Sequence, residues 1–216
     1  MALGKTPNRL SGGSARRGPA GAARLGYESD PDTALMMRVR AGDRDAFQTL
    51  FERHAAGLSR FASGLLGDPA RGEEIAQEAF YQVYRTRARY EPRARFSTFL
   101  YTIAQNLCRN EVRRPERRIS QVSLDDPSGR APDPPAPRAG GEDAAMGREL
   151  AERLRALLAE LPEKQRAALV LSRSRELRYQ EIGEILGCSE QAVKSLIFRA
   201  TRALRAGLKG YLGERE

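Results

Sequence analysis

The chain of 216 residues carries 37 Lys and Arg against 28 Asp and Glu, a net charge of +9, with one histidine and two cysteines. Cys108 and Cys188 lie in separate helical regions and His54 stands alone, so neither a structural disulfide nor a zinc site has material to form, and no apolar run approaches a membrane span. The excess charge falls on both helical regions, about +6 over 35–118 and about +4 over 148–216, with about −3 between them. That distribution points to a polyanion partner, and the free thiols to a reducing, cytoplasmic compartment.

Residues 1–31, rich in Gly, Ala, Ser and Arg, predict a disordered basic tail. A helical unit follows over 32–118. Asp32 is placed to cap a short helix through Arg40, Gly42 and Asp43 punctuate, and a longer helix reaches about Leu66. Its apolar face holds Ala46, Phe47, Leu50, Phe51, Leu58, Phe61 and Leu65, and His54 is expected to be a packing or surface residue. Asp68 and Pro69 open a helix expected to run to about Tyr90. Ile75, Ala76, Ala79, Phe80 and Val83 turn inward, while Glu74, Gln77, Glu78, Tyr81 and Arg85 form a polar ridge.

Residues 85–95, RTRARYEPRAR, read as a basic loop, because Pro92 biases Glu91 away from helical angles. A helix over 96–114 should stop before Pro115. It buries Phe96, Leu100, Ile103 and Leu107 and turns Thr98, Thr102, Gln105, Asn106, Arg109, Asn110 and Arg113 outward. Amides and arginines beside Tyr90, Phe96, Phe99 and Tyr101 have the chemistry of a single-strand binder, and they equally suit the wet side of an ordinary helix.

Five prolines mark 119–147 as a flexible linker. Beyond it an amphipathic helix over 148–161 carries Leu150, Leu154, Leu157, Leu158 and Leu161, and Pro162 opens another through about Arg175. Residues 179–204 then read as a helix-turn-helix, within a unit over 148–211 that leaves 212–216 as a tail. Tyr179, Ile182 and Leu186 share one face of its first helix, Gly187 and Cys188 turn, and Ser189 caps the second. Val193, Ile197, Ala200 and Leu204 make the buried seam; Gln191, Lys194, Ser195, Phe198, Arg199 and Arg202 lie opposite, with side chains suited to phosphates and base edges. A packed helical hairpin with a solvated basic face is the plainer alternative. Arg178, standing where a Ser or Thr cap is usual, predicts weak capping of the first helix, a cost of about 1 kcal/mol.

EEIAQEAFYQVYR (73–85), FSTFLYTIAQNLCRNEVRR (96–114), LAELPEKQRAALVLS (158–172) and the 179–204 motif together resemble regions 2 and 4 of bacterial sigma factors of the extracytoplasmic-function group. The resemblance implies an all-α protein of two small domains, a region 2 bundle and a region 4 helix-turn-helix, joined by a flexible Pro-rich linker. It implies core RNA polymerase and promoter DNA as partners, admits an anti-sigma factor, and calls for no cofactor and no catalysis. Glu74, Gln77, Glu78 and Tyr84 match positions that dock on the polymerase. Tyr90, Arg93, Arg95, Phe99, Asn106, Arg109, Asn110 and Arg113 match the part that captures the melted −10 strand, and Gln191, Lys194, Ser195, Phe198, Arg199 and Arg202 the −35 reader. Tyr84 and Phe99 replace tryptophans usual in the family, Asn110 an aspartate, and Leu196 an arginine, which leaves Leu196 facing the DNA or a partner. A regulator that binds duplex DNA alone, or an inhibitor that binds polymerase without opening a promoter, are the competing classes.

Overall fold

The computed structural model describes residues 29–119, 141–174 and 176–213. Residues 1–28 of the expected tail, 120–140 of the expected linker, Arg175 and 214–216 lie outside the described residues. What is described is helical: α1 Pro31–Arg40, α2 Arg44–Leu66, α3 Pro69–Thr86, a 3₁₀ turn Arg87–Arg89, α4 Phe96–Ile119, α5 Gly141–Glu160, α6 Glu163–Leu171, α7 Tyr179–Leu186 and α8 Glu190–Gly213.

Capping chemistry sets most of these ends. Asp30, not Asp32, caps α1, its carboxylate accepting from the Thr33 N–H at 3.0 Å and from the Thr33 hydroxyl at 2.8 Å. Pro31 then occupies the first helical position, where its missing N–H costs nothing. Asp43 and Asp68 cap α2 and α3 in the same way, and Gly67, at φ 74°, ends α2 in a left-handed conformation that a Cβ would penalise.

Four boundaries differ from expectation. α3 ends at Thr86, short of Tyr90, and tightens into the 3₁₀ turn. α4 runs through Pro115 to Ile119. α5 begins at Gly141, seven residues before 148. α6 stops at Leu171, where Ser172 turns its hydroxyl back on the Leu169 carbonyl at 2.7 Å and the chain tightens through Arg173 and Ser174.

The inward faces of α2 and α3 pair as the sequence predicts, with Leu50, Leu58, Ala79 and Val83 fully buried, Phe47 half-buried and Phe51 at the rim. α4 is the structural surprise. It buries Phe96, Ser97, Leu100, Tyr101, Ala104 and Cys108, but also Thr98 and Gln105 from the face expected to be wet, while Ile103 and Leu107 are half-buried. The reason is α7, which packs along α4 from the other side. A single buried cluster therefore runs from Leu50 and Phe80 through Leu100 to Ile182, Leu186 and Val193, and the two predicted units are in contact. A smaller cluster of Leu161, Leu169 and Ala200, lined by Leu158, Ile197 and Leu204, closes α5, α6 and α8.

Candidate nucleic-acid interface

The helix-turn-helix forms as its residues require. Gly187 takes φ 63° at the end of α7, Ser189 Oγ accepts from the Ala192 N–H at 3.2 Å, and Gly183 lies so close beneath the turn that a Cβ there would meet the Cys188 carbonyl oxygen at 2.6 Å. Ile182 and Leu186 are buried as expected, but Tyr179, the first residue of α7, is exposed. A guanidinium has no acceptor, so Arg178 cannot cap α7 through its side chain. Glu181 compensates by taking the Arg178 N–H at 2.6 Å.

On α8 the two stripes separate cleanly. Val193 and Ala200 are fully buried, and Gln191, Lys194, Ser195, Phe198, Arg199 and Arg202 all face solvent. Lys194 pairs with Glu190 at 2.7 Å, and Ser195 donates to the Gln191 carbonyl at 3.1 Å. Phe198 is 67% exposed, an unusual position for a phenyl ring on a folded surface. Leu196 packs half-buried against the main cluster.

Of the second set of candidates, Tyr90, Arg93 and Phe99 meet at a cleft of about 560 Å³ lined also by Thr86, Arg89, Glu91, Ala94, Thr98, Thr102 and Glu184. Tyr90 is 5% exposed and meets the Phe99 ring edge-on at 5.2 Å; the Arg40 guanidinium holds its carbonyl at 3.0 Å. Arg93 is exposed and paired with Glu91 at 2.8 Å. Asn106, Asn110 and Arg113 are exposed along α4. Arg95 and Arg109 are engaged elsewhere. Arg95 donates to Asp30 at 3.2 Å, to the Glu176 carbonyl at 3.3 Å and to Glu181 at 3.4 Å, and Arg109 donates to Glu163 at 3.1 Å. Sequence reasoning missed Arg89, although it sits in the basic run, and missed Glu184, for which nothing local gave a signal. Burial raises the Glu184 carboxyl above its ordinary range, helped by the neighbouring Glu181 charge and opposed by a hydrogen bond from Gln180.

On α3 the ridge is as drawn from the sequence: Glu74, Gln77, Glu78, Tyr81 and Arg85 are all exposed. Glu74 pairs with Arg71, and Glu78 accepts from Gln82 at 2.9 Å. Tyr84 is half-buried, packed on Phe47 at 5.0 Å and covered by the Arg87 guanidinium at 4.1 Å.

A solvent-facing basic helix on a helix-turn-helix, coupled to a helical unit with an aromatic and arginine-lined cleft, defines an all-helical DNA-binding protein built in two parts. The family described as Sigma-70 region 2 matches residues 50–118, and that described as Sigma-70, region 4 matches residues 151–204. The chain is 34% identical to the RNA polymerase sigma factor CarQ of Myxococcus xanthus over 79% of its own length and 93% of that protein's. It is 32% identical to the ECF RNA polymerase sigma factor SigW of Bacillus subtilis, covering 80% and 94%. CnrH, solved in complex with the cytosolic domain of CnrY, shares the fold at a TM-score of 0.63 and 22% identity, over 84% of this chain and 99% of that one. RpoE from Bartonella quintana, solved with the anti-sigma factor NepR, does so at 0.58 and 22%, over 76% and 96%. The chain belongs to the extracytoplasmic-function group of RNA polymerase sigma factors, which bind core polymerase and promoter DNA and direct transcription initiation.

Proposed function

We propose that this sigma factor works with two separate hands. The second domain, 148–211, lays α8 in the major groove of the −35 duplex, with Lys194, Arg199 and Arg202 on phosphates or guanine edges, Gln191 and Ser195 on base edges, and Phe198 against a thymine methyl or sugar. The first, 32–118, captures the opened −10 strand on Tyr90, Arg93, Arg95, Phe99, Asn106, Arg109, Asn110 and Arg113. An unstacked base needs aromatic cover and its backbone needs cations, and the cleft beside Tyr90 and Phe99 combines the two. That cleft is the observation that carries the reading.

The α3 ridge of Glu74, Gln77 and Glu78, with Tyr84 at its end, docks on core polymerase, since an exposed polar ridge on a rigid helix suits another helical surface. The protein acts in the cytoplasm and without bond chemistry. An anti-sigma factor is its natural regulator in this reading, by likeness to RpoE with NepR. Run-off transcription with core enzyme and a promoter library tests the whole: the purified protein should impose start sites that core enzyme lacks, and absence of any directed start sinks the proposal.

A further inference from the structure

His54 sits at the seam between the two domains, 4% exposed, with a carboxylate on each ring nitrogen. Nε2 is 2.8 Å from Asp32 Oδ2 on α1, and Nδ1 is 3.0 Å from Glu176 Oε2 in the segment between α6 and α7. A neutral imidazole donates through one nitrogen only, so this arrangement is satisfied in full by the imidazolium. Among the described residues the other charged groups nearby are guanidiniums: Arg53 pairs with the Asp32 carboxylate at 2.6 Å, Arg95 donates to the Glu176 main-chain carbonyl, and Arg60 and Arg173 line the same cleft as Glu176. From α4 the Phe96 ring lies 5.4 Å from the imidazole.

The same closure places three acids of the second domain on the face of the first: Glu181 on Arg95, Glu163 on Arg109, and Glu184 in the wall of the cleft. On the −10 reading of that face, these carboxylates take the cations that a strand's phosphates would use. We infer that protonated His54 clasps the two domains through Asp32 and Glu176, and that the closed form masks the single-strand face with the acidic edge of the second domain. The masking rests on the −10 reading of that face. The clasp does not.

Burial pulls the His54 pKa down, but hydrogen bonds and charge from Glu176 and then Asp32 outweigh it and raise it above 6.5. A raised pKa in the closed form means that the clasp is at full strength below 6.5 and is lost as pH rises through the raised value, tenfold in the closed-to-open ratio per unit between the two.

With one histidine in the chain, a proton NMR titration of the full protein reports His54 alone. The expected midpoint lies above 6.5, falls by about one unit in Glu176→Gln, and coincides with a rise in the radius of gyration by small-angle scattering. Glu176 lies in an interhelical segment with a partly exposed side chain, so this variant keeps its helices by circular dichroism. Anisotropy of a labelled single-stranded DNA oligonucleotide of mixed sequence should show binding that tightens several-fold in Glu176→Gln and, in wild type, tightens as pH rises, opposite to the trend for loss of a positive charge from a DNA-binding surface. A midpoint at or below 6.5, or a radius unchanged across the titration, overturns the clasp. Expansion without tighter binding overturns the masking. The −10 reading fails separately, if Asn106→Ala and Asn110→Ala, which touch neither the clasp nor its acids, leave run-off transcription intact.

Discussion

Cys108 and Cys188 show how far one residue type depends on its surroundings. Burial pushes the Cys108 thiol up to about 12, so it stays protonated and unreactive at neutral pH, whereas Cys188 is partly open at the turn before α8. Maleimide labelling of the native protein should therefore modify Cys188 and spare Cys108 until denaturant is added, read by mass spectrometry. The glycines separate by the same reasoning. A Cβ at Gly72 would lie 2.7 Å from the Ser63 nitrogen and 2.9 Å from the Ser59 carbonyl oxygen, backbone atoms that cannot move aside, whereas at Gly207 it would meet only the flexible end of Leu157. Gly72→Ala should cost about 2–3 kcal/mol in urea unfolding and Gly207→Ala distinctly less. Equal losses would show that α2 and α3 can slide apart. Leu196 belongs at this scale too: its place half-buried on the main cluster explains an apolar side chain where the resemblance suggested a phosphate contact.

Among the elements, α1 depends most on a single side chain. Asp30 caps its own helix, holds Arg95, and accepts from the Phe96 N–H at 3.4 Å, so it ties the start of α1 to the start of α4. Burial alone would raise its carboxyl, but the Thr33, Arg95 and Phe96 hydrogen bonds more than reverse that and hold it below 3.8. Its contribution is complete above pH 3.8 and is lost as pH falls through the depressed value. Asp30→Asn should cost about 1–3 kcal/mol at neutral pH, and the gap to wild type should close under acid, measured by denaturant melts across that range. The helix-turn-helix was the most legible element, since Gly187, Ser189 and the 193/197/200/204 seam are local signals within two turns of one another. The end of α3 and the course of α4 past Pro115 were not, because a single proline or a tightened last turn is decided by small differences that neighbours can override.

For the whole molecule, the α3 ridge proposed to dock on polymerase offers the sharpest functional test. Gln77 and Glu78 are exposed and away from the buried cluster, so Gln77→Ala with Glu78→Lys should leave thermal unfolding within about 0.5 kcal/mol of wild type while run-off transcription falls at least about tenfold. Intact transcription would move polymerase docking elsewhere. The buried faces of α2, α3 and α8 were readable because helical periodicity repeats every three or four residues. Thr98 and Gln105 were expected to be wet and are 3% and 2% exposed. Nothing in α4 distinguishes a polar side chain that faces water from one that faces α7. The −35 candidates emerged together on one face, whereas Arg95 and Arg109 emerged already bound to acids of the other domain.

By itself the sequence determined an all-helical protein of two basic units, the residues of its helix-turn-helix, and its polar ridge, since these follow from spacing, caps and charge within short stretches. Only the tertiary structure decided that α4 of the first unit packs against α7 of the second, that Glu184 enters the cleft, and that His54 meets a carboxylate from each side. His54 and Glu176 are 122 residues apart, and two charges so distant in the chain leave no periodic trace of each other until the packing of α7 on α4 brings them within 3.0 Å.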